Sequence, residues 1–156
     1  MDDAKLFREI LTAYGGKPCA PNAKFLTWLR SQGLSEQAIG VISGYLLKKS
    51  AYVGPVDFYS ERGILWANGD EGIPIPLRDG LLIVGACPNG DPVAVDVKEH
   101  IGAAGYIGHE SMWQRESVRS VFLALVPALG KLAEGLDEKR LPYDYYEAKN
   151  RQDGGE

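Results

Sequence analysis

The sequence predicts an α+β domain, with a mainly antiparallel, twisted sheet of about five or six short strands. N-terminal helices and one long C-terminal helix are expected to pack on that sheet. Three observations predict this. Apolar residues recur at helical spacing from Ala4 to Leu46. From Tyr52 the period shortens, and Leu81–Val84 and Val93–Val97 flank the turn Pro88-Asn89-Gly90-Asp91, where Asn-Gly supplies the positive φ that hairpins demand. A last helical pattern runs from Val118 to about Glu134.

Taken in order, Ala4, Phe7, Ile10, Leu11 and Tyr14 make one stripe, with Asp2 or Asp3 as cap and Gly15-Gly16 as stop. Asn22 precedes a second helix, Ala23–Ser31, with Phe25, Trp28 and Leu29 inward. Ser35 caps a third, with Ile39, Ile42, Tyr45 and Leu46 inward and Lys48-Lys49 in its last turn. Val56–Tyr59 and Ile64–Trp66 read as strands joined by Ser60-Glu61-Arg62-Gly63. Pro74 and Pro76 make Ile73–Leu77 extended. Gly102–Gly108 reads as a loop or irregular edge, with Tyr106-Ile107 as a short apolar piece. Ser117 caps the long final helix, whose stripe is Phe122, Leu125, Leu129 and Leu132 and which Pro127 should bend or break. Pro142 could open a last helical turn, and Arg151–Glu156 is expected to fray.

At 156 residues the chain reads as one domain over residues 1–150 with a short tail. With 45% hydrophobic and 24% charged residues it has the composition of an ordinary globular protein. Met1-Asp2-Asp3 is acidic where a signal peptide would be basic, and no apolar run approaches the roughly 20 residues of a membrane helix. Cys19 and Cys87 are far apart and in no metal spacing. The expectation is a cytoplasmic protein without membrane contact.

Charge is uneven. Residues 1–55 carry seven basic and four acidic side chains; residues 56–116 carry four basic and ten acidic. An acidic β half argues against nucleic acid, which needs clustered Lys and Arg, and suits a basic protein partner.

Chemistry finds little purchase. His109-Glu110 lacks the second histidine of a zinc-protease motif, and a zinc site would have to recruit Asp91, Asp96 or Cys87 from separate loops. A Cys87–His109 nucleophile pair, or an acid–base pair from Asp91, Asp96 and Glu110, is conceivable but not demanded by spacing. The glycine-rich stretches have neither phosphate-loop nor dinucleotide spacing. No cofactor, metal or catalytic set is expected.

The order of features, however, resembles the SUKH superfamily, which includes bacterial immunity proteins and fungal cell-wall-synthesis regulators. The matching residues are Leu81–Gly85, Asn89-Gly90-Asp91, Val93-Ala94-Val95-Asp96, Tyr106–His109 and Ser120-Val121-Phe122-Leu123 with Leu125. The resemblance spans roughly Leu34 to Gly135, leaving residues 1–33 as a divergent helical extension; the Pro near the start of an early helix and its Asn-Gly-Gly ending, frequent in the family, are absent. It implies a non-catalytic module, most often one that neutralises a nuclease- or deaminase-like toxin by covering its active site. The partner-binding candidates are then Trp66, Tyr106 and Trp113 as aromatic anchors, with Asp70, Glu71, Asp91, Glu99 and Glu110 as charged rim. Alternatives are a regulatory scaffold binding several partners, or a small hydrolase or metal-dependent enzyme using His109 and Glu110. Oligomeric state is left open.

Overall fold

A computed structural model describes residues 3–69, 75–110, 117–136 and 140–154. Its centre is a six-stranded antiparallel sheet in chain order: β3 (Ala51–Val53), β4 (Val56–Phe58), β5 (Leu81–Ala86), β6 (Pro92–Asp96), β7 (Ala104–Ile107) and β8 (Phe122–Val126). A second, two-stranded sheet pairs β1 (Lys17–Pro18) with β2 (Leu47–Lys49). Around these lie α1 (Asp3–Ala13), α2 (Ala23–Ser31), α3 (Glu36–Ser43), α4 (Glu61–Asn68), α5 (Ile75–Arg78), α6 (Leu129–Glu134) and α7 (Tyr145–Gln152). The fold is α+β with an antiparallel sheet, as the sequence predicts.

The β5–β6 hairpin forms where the Asn-Gly turn places it, and Gly90 takes φ +96°, a region costly for any residue with a Cβ. The first two helices also match: the Asn22 side chain accepts from Phe25 N–H at the head of α2. Phe7 and Leu11 of α1, Phe25 and Leu29 of α2 and Ile39 and Ile42 of α3 share one core with Phe58, Leu82, Val84, Val93, Val95, Ala104 and Tyr106 on one sheet face. Phe7 meets Phe58 and Tyr45 edge-on, at ring-centroid distances of 6.1 and 5.1 Å. Residues 3–33 therefore supply part of the same core as the sheet. The opposite face carries a smaller cluster of Leu81, Ala94, Ile107, Val118 and Val121.

Other expectations are corrected. Ile64–Trp66 is not a strand but lies in α4, because Ser60 caps Gly63 N–H and Ile64, Ala67 and Asn68 fall on one helical face. The third helix stops at Gly44, so Leu47–Lys49 pair as β2 instead of forming its last turn. Leu77 lies in the short helix α5, not in an extended stretch; Ile73 and Pro74 fall outside the described residues. Ala104–Ile107 is an inner strand between β6 and β8, not an edge. Gly105 makes this possible, since a Cβ there would sit 2.0 Å from the Leu123 carbonyl oxygen.

The long final helix is replaced by a 3₁₀ turn at Val118–Val121, strand β8 and the short α6. The contiguous run Phe122–Val126 satisfies its backbone against β7, and Pro127 forbids a helix through the junction. The last helix begins at Tyr145 behind the cap Asp144, not at Pro142, and includes Arg151 and Gln152.

One side chain completes the sheet. Strand β4 pairs with β5 only at Phe58↔Gly85 and Asp57↔Ala86. Further along, the buried Asn68 amide acts as a strand partner: it donates to Ile83 O, accepts from Ile83 N–H and also donates to Ile64 O, each at 2.8 Å. This fixes α4 against the edge of β5.

Candidate functional site

Strand β6 is bracketed by two buried aspartates. Asp96, its last residue, accepts from the backbone N–H groups of Lys98 (3.0 Å), Glu99 (3.1 Å) and His100 (3.1 Å). Arg119 adds Nη1 at 3.4 Å and Nη2 at 2.5 Å, and reaches Glu99 at 3.0 Å and the Asp79 carbonyl at 3.0 Å. Burial alone would raise the Asp96 pKa; the guanidinium and the backbone donors outweigh it and hold the carboxyl below its ordinary value. A shallow groove of about 420 Å³ runs beside this cluster, lined by His100, Arg119, Phe122, Leu125 and Pro127 among others.

At the other end, Asp91 is wholly buried. It accepts from Asn89 Nδ2 (3.0 Å), His109 N–H (3.1 Å), His109 Nδ1 and Tyr145 N–H (2.9 Å). Here too burial would raise the pKa, and the His109, Tyr145 and Asn89 donors bring it below the usual carboxylate value. One residue thus joins the hairpin turn, the chain after β7 and the start of α7. Beside it, the buried Tyr106 hydroxyl donates to Pro142 O at 2.7 Å.

An aspartate that orients a histidine through Nδ1 is half of a nucleophile-activating arrangement. The neighbouring thiol does not complete it. Cys87, whose N–H donates to Asp91 O, is buried, and its pKa is pushed up to about 12 by that burial and by the charges of Asp91 and Asp144. It is protonated at neutral pH and is no nucleophile there. Among the described residues no group of His, Cys, Asp and Glu is arranged to hold a metal ion, and no helix is long and apolar enough to cross a membrane.

What this internal scaffold presents outward is the beginning of α7. Tyr143 and Tyr146 are 48% and 51% exposed. The Tyr146 hydroxyl donates to Glu110 Oε2 at 2.7 Å, and its ring meets Tyr145 edge-on at 5.8 Å. Glu147 accepts from Tyr143 N–H at 2.6 Å and pairs with Arg151, which also donates to Arg140 O. Asp144 caps the helix and receives Asn89 Nδ2 at 3.4 Å.

The sequence-predicted residues separate accordingly. Asp91 and Tyr106 are removed from the surface set, being 0% and 1% exposed and engaged inside the fold. Glu110 is exposed and belongs to the α7 surface. Glu99 is exposed but holds Arg119, and Trp66 is 61% exposed on α4. Among the described residues, no hydrogen bond, ion pair or ring contact links Trp66 or Glu99 to the α7 surface. Asp70, Glu71 and Trp113 lie outside the described residues. Sequence reasoning missed Tyr143, Asp144, Tyr146 and Glu147. The available signal was the clustering of tyrosine and acid in Tyr143-Asp144-Tyr145-Tyr146-Glu147. No family model, curated protein or solved structure matches the chain.

Proposed function

We propose that the chain is a non-enzymatic protein-binding module of the immunity type, which sequesters a basic nuclease- or deaminase-like toxin through the surface at the start of α7. The observation that carries this reading is the pair of exposed tyrosines, Tyr143 and Tyr146, the second bonded to Glu110, at a firmly anchored helix start. Tyrosines supply contact area at low conformational cost. Tyr146 is already restrained by Glu110, so little rotamer freedom remains to be lost on binding. Glu110 and Asp144 give the surface acidic groups that complement a toxin made basic to hold nucleic acid, while Glu147 is paired with Arg151. The ionisable side chains best suited to chemistry, Asp91, Asp96 and His109, are instead occupied in holding the fold. Trp66 supplies a further exposed aromatic on α4.

The test is capture from the chain's own cells, toxin-producing siblings included, with wild-type protein and with a Tyr146→Ala, Glu110→Lys variant. A basic protein should be retained whose activity the wild type inhibits, and the variant should bind about 30-fold or more weakly. Absence of any stable partner, or binding indifferent to the variant, overturns the reading. Growth rescue separates immunity from a regulatory scaffold, because only an immunity protein protects a cell expressing the toxin. An activity that disappears with His109→Ala would favour an enzyme instead.

A further inference from the structure

The chain has two Asn-Gly steps, Asn68-Gly69 and Asn89-Gly90. At such steps the missing side chain lets the following backbone nitrogen reach the asparagine Cγ, and asparagine is thermolabile for this reason. The two sites differ sharply. Asn68 is 3% exposed, with its amide held on both sides by the Ile83 backbone and by Ile64 O. Asn89 is exposed in the β5–β6 turn, next to a glycine already at φ +96°. Its Nδ2 bridges two carboxylates, Asp91 Oδ2 at 3.0 Å and Asp144 Oδ2 at 3.4 Å, and its Oδ1 accepts from Asp91 N–H at 3.1 Å, so exposure and not a free amide distinguishes it from Asn68.

We infer that Asn89 is a site of spontaneous deamidation, and that its conversion loosens the start of α7. The Gly90 nitrogen attacks Asn89 Cγ and loses its proton; the Cγ–Nδ2 bond breaks and ammonia leaves, giving a five-membered succinimide. Water then adds to either ring carbonyl and opens it to aspartate or isoaspartate. The net reaction consumes one water and releases one ammonia, with no oxidant or cofactor. The product places a third carboxylate where a donor had bridged two. Asp91 keeps its His109 and Tyr145 donors, but the link from the turn to the α7 cap becomes a repulsion. Because Asp144 and Tyr145 begin the helix that bears Tyr146, the change alters the exposed tyrosine surface. Nothing in this step depends on what that surface binds.

The test uses the full chain aged in mildly alkaline buffer, followed by peptide mapping that resolves isoaspartate. Deamidation should accumulate at Asn89 first, with Asn68 intact in folded protein and reactive only after denaturation. Hydrogen exchange then follows the consequence: Asn89→Asp should speed exchange of the α7 amides about tenfold while leaving β3 and β4 unchanged. Asn89→Ala, which removes the donor without adding charge, should have a smaller effect. Asp144→Asn in the Asn89→Asp background, which retains a capping side chain, should restore much of the protection. Native-state deamidation at Asn68 ahead of Asn89, or none at either, overturns the assignment. Unchanged α7 exchange in Asn89→Asp overturns the consequence.

Discussion

The Asn68 amide offers the sharpest test of how the sheet is completed. Asn68→Ala removes three hydrogen bonds of 2.8 Å inside the protein and strands the Ile83 N–H and C=O, both of which β4 is too short to reach. Each buried bond contributes about 1 kcal/mol, and an unsatisfied buried group costs about 1–3 kcal/mol, so a total loss of about 3–4 kcal/mol is expected. With a urea m-value of about 2 kcal/mol/M, the unfolding midpoint should fall by about 1.5–2 M. Asn68→Asp should be worse at neutral pH. It keeps the acceptor facing Ile83 N–H but sets a second oxygen against the Ile64 and Ile83 carbonyls. Protonation would return one donor, so this variant should regain part of its deficit on acidification, as expected for a carboxyl whose folded pKa is raised. Urea titrations of the three proteins at neutral and mildly acidic pH decide the matter. A midpoint for Asn68→Ala within about 0.3 M of wild type, at unchanged m-value, would refute the role given to this side chain.

Further outcomes follow from other residues. Asp91 and Asp96 both have folded pKa values below the ordinary 3.8, so their stabilisation is complete above that value and disappears as pH falls through the folded values. Thermal midpoints measured across the acidic range should drop there, and less steeply in Asp96→Asn. Asp57 behaves oppositely. Its Oδ1 is buried without a hydrogen-bond partner and burial raises its pKa, so its ionisation costs stability as pH rises through the folded value. Asp57→Asn should therefore be neutral or stabilising by up to about 1 kcal/mol at neutral pH, read by urea unfolding. Gly105→Ala would push a methyl to 2.0 Å from Leu123 O, so the β7–β8 pairing must open; a loss of more than about 3 kcal/mol, or insoluble expression, is expected.

The parts of the fold legible in the sequence were those with local causes. The Asn89-Gly90 turn and the Asn22 cap announce themselves within a few residues of where they act. Phe122–Val126 did not, because five consecutive apolar residues fit a helical face and a strand equally well, and pairing with β7 decides between them. Helix α7 was obscure for another reason. Ala148 is its one fully buried residue, and it is held by caps and side-chain contacts instead of an apolar stripe. The candidate site suffered most. Asp91 reads locally as a turn acid, yet its decisive donors come from His109 and Tyr145, 18 and 54 residues away. Tyr106 looked available because its hydroxyl acceptor, Pro142 O, lies 36 residues further on. Contacts of that separation leave no periodic trace.

The sheet's strand order has a consequence for synthesis. Since β3 to β8 neighbour one another in the order they are made, each strand of the growing chain can dock on the one before it without waiting. The helical layer cannot close so early, because α1 packs against α6 and α7 supplies a donor to the β6 end at Asp91. A nascent chain lacking its last third would hold a partly paired sheet over an open apolar face. Premature termination there should yield species prone to associate through that face, whereas synthesis through α7 lets α1, α6 and α7 seal it together.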